Sequence, residues 1–315
     1  MARGVGSAPV VRKIIVTEAG GPEVLELREA PDPVPGPEEA VVRLAAANVN
    51  PTDLGAREGM FPPGFDIEGP PYVLGWDLAG EVIAVGDRGN GRSVGDRVVG
   101  MIPWYVAKGR YGAYADPVLL RSEWLVDLPG DLDPVHAAAV PLNGLTAQQA
   151  LDHLHAPDGA RLLITGASGA VGSFAAQLAV QRGFRVTAQA GTDDVAWVQS
   201  LGVERVLPRD ADLESIDPFP YVLDAVPVGP AVFPAAADGA TIVSTRPVDE
   251  DPGRGIHQEA MLIEWDADGL RALLDAVAAG RLQTRVDRMV SLADAADAHR
   301  LSEQRGRHGK IILVP

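Results

Sequence analysis

The stretch RLLITGASGAVG, residues 161–172, decides how the rest of the sequence is interpreted. Residues 162–164 are a short apolar run, which is typical of a strand buried on both faces. A glycine turn follows at residues 166–172, and apolar residues then recur at the spacing of a helix. Strand, glycine turn and helix in this order are the context that a dinucleotide-binding fingerprint requires.

The glycines of this turn suit a pyrophosphate. Gly169 lets the backbone approach the anion, and Gly172 lets the helix pack close to the strand, while free N–H groups at the helix start face the anion. Ala167 replaces the first glycine of the usual pattern. A purely structural turn is the alternative to a cofactor site. The favoured prediction is that the cofactor pyrophosphate is held by Ala167, Ser168, Gly169, Ala170, Val171 and Gly172.

Length and composition describe an ordinary globular protein. The 315 residues predict two domains or one large α/β unit, with 46% hydrophobic and 22% charged residues. There is no run of about 18 apolar residues, which a membrane span would need. The N-terminus lacks the apolar core of a signal peptide. We therefore expect a cytoplasmic protein with no membrane partner.

Charge and cysteine content exclude further classes of function. The net charge of −16 argues against a nucleic-acid partner, because phosphates would repel such a surface. The sequence contains no cysteine, which excludes disulfides, thiolate zinc ligands and cysteine nucleophiles.

The pattern of strands and helices changes along the chain. Residues 11–29, 40–47 and 72–100 read as short strands separated by Gly/Pro turns, which predicts a β-rich first domain. Residues 128–154 are helical, and we place the domain boundary near Pro129. The tail after residue 281 reads as strand, helix and last strand, and its apolar run at 311–314 would fit back into the first domain.

From residue 161 strands and helices alternate. Such alternation predicts an α/β doubly wound parallel sheet with right-handed crossovers. The predicted domains are residues 1–128 with 267–315, and residues 129–266. The strands of the second domain are expected at 161–165, 184–189, 203–207, 220–224, 240–245 and 260–265.

The end of the second strand of this sheet favours NADPH over NADH. An NAD site usually has Asp or Glu there to accept hydrogen bonds from the ribose 2′-hydroxyl. Here Ala190 and Gly191 occupy the position, no carboxylate appears until Asp193, and no Arg or Lys stands beside the gap. Asp224 and Thr245 follow later strands at their carboxyl ends, where ligands meet this type of sheet.

The segment NVNPTDL, residues 48–54, has two compatible interpretations. Asn50 suits a helix N-cap, Pro51 the first helical position and Asp53 the positive helix end. The same helix start would present an amide and a carboxylate to a ligand. A group of aromatic residues further on suits a pocket wall and a core edge equally well: Trp104, Tyr105, Tyr111 and Tyr114.

A series of segments in order resembles the medium-chain dehydrogenase/reductase superfamily, in its zinc-free quinone oxidoreductase-like branch. The resemblance spans nearly the whole chain. It is carried by GPEVLELRE, NVNPTDLGAREG, PYVLGWDLAGEVIAVG, VGDRVVG, RYGAYAD, AAAVPLNGLTA, ITGASGAVG and ADAHRLSEQRGRHGKIIL.

The resemblance implies a GroES-like catalytic domain completed by the C-terminus, a Rossmann domain, and a cleft where they meet. It also implies that Thr146 and Asn50 lie near the nicotinamide and that Lys310 contributes to the cofactor site. Zinc-dependent relatives carry Cys, His and Glu at about Asn50, Trp76 and Asp77, and the loop of four cysteines is absent. We therefore predict no metal.

The predicted activity is NADPH-dependent hydride transfer to a quinone or an α,β-unsaturated carbonyl compound. The catalytic candidates are Asn50 as a donor to the carbonyl oxygen, Asp53, and Tyr111 as proton donor, with Tyr114 or solvent as alternatives. Two other functions remain open: an enoyl-thioester reductase, and a nucleotide-sensing protein without turnover. The strand expected at 260–265 carries three apolar residues at a sheet edge, which predicts a homodimer.

Overall fold

The computed structural model describes residues 11–62, 65–304 and 306–315. These residues form two compact units, the first within Met1–Pro141 and Val286–Pro315 and the second within Leu142–Arg285. The N-terminal segment in which we expected no signal peptide, residues 1–10, lies outside the described residues. None of the helices in the described part of the chain is both long and apolar enough to cross a membrane.

The first unit is rich in β-structure, as predicted. Its strands are β1 (Val11–Val16), β2 (Leu25–Ala30), β3 (Glu39–Asn48), β4 (Tyr72–Val73), β5 (Asp77–Val85), β6 (Arg97–Met101), β7 (Ala115–Asp116), β8 (Val118–Arg121) and β9 (Leu125–Asp127). Its helices in this part are α1 (Pro51–Arg57), α2 (Trp104–Ala107) and α3 (Pro134–Ala138).

The second unit alternates helix and strand. Its helices are α4 (Pro141–His153), which begins at the boundary, α5 (Ala170–Gln181), α6 (Val195–Ser200) and α7 (Ala267–Ala278). Its strands are β10 (Arg161–Thr165), β11 (Arg185–Ala190), β12 (Arg205–Pro208), β13 (Phe219–Asp224), β14 (Ala236–Ser244) and β15 (His257–Ala260). The chain then returns to the first unit with β16 (Val286–Ser291), α8 (Ala295–Glu303) and β17 (Lys310–Val314).

Two sheets build the first unit. One runs in the order β16-β17-β3-β5-β6-β9, with β8 also paired to β3, and the other runs β2-β1-β4, with β7 also paired to β1. The predicted return of the C-terminus is confirmed, because Ile312 pairs with Asn48 and Leu313 with Ala47 in an antiparallel register. This pairing brings the start of β17 to the end of β3, where the polar residues of the unit are concentrated.

The sheet of the second unit confirms the predicted doubly wound architecture. Its order is β12-β11-β10-β13-β14-β15, and every neighbouring pair is parallel. In order of appearance along the chain this is 3-2-1-4-5-6, the order of dinucleotide-binding folds. Leu162, Leu163 and Ile164 of the central strand are buried, as the apolar run predicts.

The sixth strand lies earlier than predicted. It is the polar segment His257–Ala260 rather than residues 260–265, and the chain leaves the sheet after Ala260. Met261 and Ile263 are buried although they lie outside the strand, while Leu262 is 52% exposed. The Met261 N–H still donates to the Ser244 carbonyl at 3.0 Å, but the regular pairing ends at Ala260. Within the described residues, the apolar strand edge at 260–265 on which the homodimer prediction rested is therefore not formed.

The units also divide later along the chain than the predicted boundaries at residues 128/129 and 266/267. Helix α3 packs on β3 and β5 and so belongs to the first unit. The segment after α7 is held to the second unit by the Gln177 amide, which donates to the Gln283 carbonyl, and by the ion pair between Arg285 and Asp194. Tertiary contacts of this kind leave no local signal in the sequence.

Candidate functional site

The glycine loop between β10 and α5 has the conformation that its sequence predicts. Gly166 has a φ of +60°, and a Cβ added to it would lie 1.9 Å from Cγ2 of Val226. The sharp turn is therefore made by Gly166. Ala167 is accommodated because its methyl group is buried and its N–H donates to the Gln189 carbonyl at 2.9 Å.

The start of α5 lies unusually close to this loop. A Cβ on Gly172 would lie 2.3 Å from the Gly166 carbonyl oxygen, and one on Gly169 would lie 3.2 Å from the same atom. The bond from the Ser173 N–H to the Gly169 carbonyl, 2.9 Å, begins the helical ladder. The N–H groups of the three preceding residues, 170–172, come before the first bond of this ladder and are positioned to donate to an anion. The loop fits a dinucleotide pyrophosphate.

The end of β11 has a cation that sequence reasoning missed. Ala190 pairs with Pro208 in the parallel register of β11 and β12, so the residues that follow them, Gly191 and Arg209, are neighbours. A Cβ added to Gly191 would lie 3.3 Å from Nη2 of Arg209. The sequence reading that no Arg or Lys stands beside this gap is therefore corrected. The pairing register of β11 and β12 would have identified this arginine, whereas the residues next to Gly191 in the chain do not.

Asp224 and Thr245 shape the sheet edge near the loop. The Thr165 hydroxyl donates to Oδ1 of Asp224 at 2.5 Å, and the N–H groups of Val228 and Gly229 donate to Oδ2 at 3.1 and 3.4 Å. Burial raises the pKa of Asp224, against the effect of these donors. The Thr245 N–H donates to the Asp224 carbonyl at 3.2 Å. The carboxylate thus anchors the turn after β13.

A buried polar cluster occupies the first unit, where β3, β5, β17 and the start of α1 meet. We call it the amide–carboxylate cluster, and it comprises Asn48, Asn50, Asp53, Asp77 and Lys310. Lys310 Nζ donates to Asn50 Oδ1 at 2.8 Å, and Asn48 Nδ2 donates to the same oxygen at 3.2 Å. Both amides donate to Asp77 Oδ2 at 2.9 Å. Side chains alternate between the two faces of a strand, so a packed Trp76 would suggest a solvated Asp77. Asp77 is instead fully buried.

Asn50 and Asp53 take the positions of a capping box at the start of α1. The Asn50 N–H donates to Asp53 Oδ2 at 2.9 Å, and the Gly75 N–H donates to Asp53 Oδ1 at 3.1 Å. The side chain of Asn50 meanwhile reaches Lys310 and Asp77. Capping and a role in the cluster therefore coexist, as the two interpretations of the segment allowed.

Two ionisable groups of the cluster, Asp53 and Lys310, have pKa values near neutrality. Burial raises the pKa of Asp53 to about 7, assisted by the charge of Asp77 and opposed by backbone N–H groups and Lys310. Burial lowers the pKa of Lys310 to about 8, opposed by the charges of Asp77 and Asp53. The cluster can therefore exchange a proton close to neutral pH.

A chain of hydrogen bonds extends from Asp53 through Tyr114 and His299 to Arg57. The Tyr114 hydroxyl lies 3.4 Å from Asp53 Oδ2 and 3.2 Å from His299 Nε2, and Arg57 Nη1 lies 3.4 Å from His299 Nδ1. Burial, with the Arg57 charge, lowers the pKa of His299 to about 3. Since arginine only donates, we assign the proton of the neutral imidazole to Nε2. The order of donation is then Arg57, His299, Tyr114, Asp53.

Tyr111 lies apart from this chain. Its hydroxyl donates to the Glu39 carboxylate, and its ring packs edge-on against Trp124 at 5.4 Å. It lines a surface pocket of about 240 Å³ with Arg88 and Arg121, and burial raises its pKa to about 12. The structure therefore brings Tyr114, and not Tyr111, to Asn50 and Asp53.

Thr146 and Lys310 are in different units. The Thr146 hydroxyl donates to the Leu142 carbonyl at 2.6 Å within α4. Lys310 is 8% exposed and belongs to the amide–carboxylate cluster. The sequence motif at the C-terminus indicated a functional lysine, but its partners became visible only with the pairing of β17 and β3.

Two compact units, one β-rich and one with the 3-2-1-4-5-6 parallel sheet and its glycine loop, define a dehydrogenase/reductase class of protein. Residues 36–130 match the family model of the alcohol dehydrogenase GroES-like domain, and residues 201–313 match a model described as zinc-binding dehydrogenase. The chain belongs to the medium-chain dehydrogenase/reductase superfamily, in its quinone oxidoreductase-like branch, and is an oxidoreductase that uses a nicotinamide nucleotide.

Three similar proteins illustrate this membership. The chain is 30% identical to a chloroplast envelope quinone oxidoreductase homolog of Arabidopsis thaliana, over 94% of this chain and 95% of the relative. It is 34% identical to the trans-enoyl reductase tazE of Aspergillus terreus, over 67% of this chain and 71% of the relative. The structure of the quinone oxidoreductase from Coxiella burnetii superposes with a TM-score of 0.87 and 27% identity, covering 98% and 100% of the two chains.

The residues at the expected zinc position do not fit a zinc ion. Trp76 is buried there and packs 6.3 Å from the Tyr105 ring, and the Lys310 ammonium already supplies a positive charge beside Asp77. Within the described part of the chain, no three or more His, Asp or Glu side chains are grouped so that they could hold a metal ion. We derive no catalytic step through a metal.

We expect Gly172→Ala to weaken dinucleotide binding and to destabilise the protein, because its Cβ would meet the Gly166 carbonyl oxygen at 2.3 Å. Overpacking of this kind costs about 1–3 kcal/mol. Gly169→Ala is the matched control, since its Cβ would lie 3.2 Å from the same oxygen and the loss should be smaller. Urea unfolding and NADPH fluorescence titration measure both effects. Two variants that behave like the wild type would contradict the close-approach argument.

We expect Asp53→Asn to change how stability depends on pH. The carboxyl has a pKa of about 7 when folded and 3.8 in its ordinary state, so between these values the unfolded chain loses a proton that the folded chain keeps. The contribution of this group to the free energy of unfolding of the wild type is therefore fully present below about pH 4 and is lost as the pH rises to about 7. At about 1.4 kcal/mol per pKa unit, the free energy of unfolding of the variant should rise relative to that of the wild type by on the order of 4 kcal/mol over that range.

Urea titrations at several pH values test this expectation, with Asp131→Asn as the matched control because Asp131 is exposed. A constant difference between wild type and Asp53→Asn from pH 4 to 7 would show that Asp53 is ionised throughout.

Proposed function

We propose that the protein is an NADPH-dependent reductase that transfers a hydride to a quinone or an α,β-unsaturated carbonyl compound without a metal. The observation that carries the proposal is the loop at residues 166–172, whose backbone fits a pyrophosphate at the start of α5. The absence of a carboxylate at Ala190 and Gly191 supports NADPH over NADH.

In this proposal the second unit holds the cofactor. Residues 167–172 bind the pyrophosphate, and Ala190 and Gly191 border the ribose. Thr146, Asp224 and Thr245 complete the cofactor surface, with Asp224 acting through the turn that it anchors. When bound, the nicotinamide supplies the hydride.

The first unit serves the substrate carbonyl. Reduction places negative charge on a carbonyl oxygen, and hydrogen-bond donors must stabilise that charge. Asn50 and Lys310 are such donors in a desolvated environment, and Lys310 holds the Asn50 amide in one orientation. We assign the proton reserve to Asp53 and not to Tyr111, because a group with a pKa of about 7 exchanges protons at neutral pH and one with a pKa of about 12 does not.

The second candidate is an enoyl-thioester reductase. The similarity to a trans-enoyl reductase over two thirds of the chain supports it, and the hydride step on a conjugated double bond is the same. An enone and an enoyl thioester differ only in the group bonded to the carbonyl carbon.

Steady-state kinetics tests the function. We expect NADPH oxidation with 1,4-naphthoquinone or a simple enone, a lower kcat/KM with NADH, and unchanged activity after treatment with a chelator. Crotonyl-CoA is the parallel substrate for the second candidate. Failure to oxidise NADPH with any of these acceptors would reject a reductase and favour a nucleotide-sensing protein, whereas activity lost on chelation and restored by zinc would reject the metal-free mechanism.

We expect Asn50→Ala to lower kcat by roughly 10²-fold, the usual effect of removing a donor to a developing oxyanion, with cofactor affinity little changed. Asn48→Ala is the matched control, because it removes a neighbouring amide of the same cluster that also donates to Asp77. Asn48→Ala should lower stability without a comparable loss of kcat. Equal losses in both variants would mean that Asn50 only maintains the cluster.

We propose a homodimer, although not through the segment 260–265. Within the described part of the chain, the sheet of the second unit ends at β15, and no strand pairs with the outer edge of β15, so a twofold mate can cover it. Light scattering at micromolar concentration should give twice the mass of the chain, and Gln258→Pro in β15 should shift the protein towards monomer. A wild type that is monomeric at this concentration would overturn the proposal.

A further inference from the structure

We propose that Arg209 is the residue that recognises the 2′-phosphate of NADPH, and that Arg285 is a positioning residue that neutralises Asp194 beside it. The inference rests on the NADPH preference of the proposed function and extends it to named residues. It is drawn entirely within the second unit.

The fold holds Arg209 over the end of β11. Arg209 directly follows β12, and the Gln189 side chain donates to its carbonyl at 3.1 Å, which anchors its backbone to the neighbouring strand. Its Nη2 and Cζ lie 3.3 and 3.8 Å from the position of a Cβ on Gly191. A glycine at this position leaves the space above the strand end open to the guanidinium and to a ligand. In an NAD site the same space receives the acidic side chain.

The charge of Arg209 is available for a ligand. Over the described residues, its guanidinium makes no hydrogen bond or ion pair, whereas Arg185 on the same sheet pairs with Glu204 at 2.9 Å. Arginine presents a planar fork of donors that matches a phosphate in two parallel hydrogen bonds.

Asp194 is a carboxylate close to this position that would oppose a phosphate, since its Oδ2 lies 3.9 Å from the Gly191 Cβ position. Its other oxygen accepts from Arg285 Nη1 at 2.6 Å, and the pair is largely buried. The Arg285 guanidinium is fixed in turn over the Trp197 ring at 4.4 Å. The ion pair offsets the charge of Asp194 on the side of the strand end where Arg209 lies. Asp193 is exposed and directed to solvent.

Calorimetric titration with 2′,5′-ADP and 5′-AMP tests the proposal without turnover, because the two probes differ only in the 2′-phosphate. We expect the wild type to prefer 2′,5′-ADP and Arg209→Gln to lose roughly 10–100-fold in affinity for it, the usual effect of charge-assisted hydrogen bonds, with 5′-AMP unchanged. Arg205→Gln is the matched control: Arg205 is an exposed arginine at the opposite end of the same strand and should leave both affinities unchanged.

The outcomes are distinguishable. A wild type that binds both probes equally contradicts the NADPH preference of the proposed function. A wild type that prefers 2′,5′-ADP, with the preference intact in Arg209→Gln, overturns the assignment to Arg209 alone. Equally weakened binding of both probes in Arg209→Gln also overturns it, and so does the same loss of affinity in Arg205→Gln. The effect would then be structural or due to net charge.

The role of Arg285 has its own test. Arg285→Gln should weaken the binding of 2′,5′-ADP several-fold, because it removes the ion pair that offsets the Asp194 charge. The additional change Asp194→Asn should restore the affinity. A merely structural role of the ion pair would not give this rescue, and its absence overturns the positioning role.

Discussion

The close approach of α5 to the end of β10 is the constraint on which the second unit depends. A Cβ atom on Gly172 would collide with the Gly166 carbonyl oxygen, so the helix can approach the strand this closely only because residue 172 is glycine. That approach brings the first N–H groups of the helix to the edge of the sheet. The parallel register of β11 and β12 brings Gly191 and Arg209 together, where we propose that the ribose end of the dinucleotide binds.

The first unit is organised around a different constraint, the burial of charge. Two carboxylates, an ammonium group and two amides are removed from water and must satisfy one another. Asn48, Asn50 and Asp53 come from one segment of the chain, whereas Asp77 comes from β5 and Lys310 from β17. The resulting balance leaves Asp53 and Lys310 with pKa values close to neutrality, which is useful for a reaction that needs a proton and a polarised carbonyl. In the mechanism we propose, Lys310 supplies the positive charge that polarises the carbonyl.

Sequence patterns failed where one signal has two physical causes. The apolar residues at 261–263 predict a strand, but apolar residues are also buried where a chain has left the regular pairing of a sheet, as Met261 and Ile263 are here. Tyr111 and Tyr114 are equivalent in the sequence, yet Glu39 and Trp124 hold one while His299 and Asp53 hold the other. Arg209 is far from Gly191 in the chain, and only the pairing of β12 with β11 makes the two residues neighbours.

The sequence by itself determined the class of fold, the position of the dinucleotide loop and the return of the C-terminal strand, since glycine spacing and strand–helix alternation are local consequences of backbone geometry. It also identified Asn50, Asp53 and Lys310 as residues of interest. Only the tertiary structure decided that these three share one buried cluster, that Tyr114 and His299 extend it, and that Arg209 covers Gly191. The reason is physical: hydrogen bonds and desolvation act between residues that are close in space, and the register of β17 on β3 and of β12 on β11 creates that proximity.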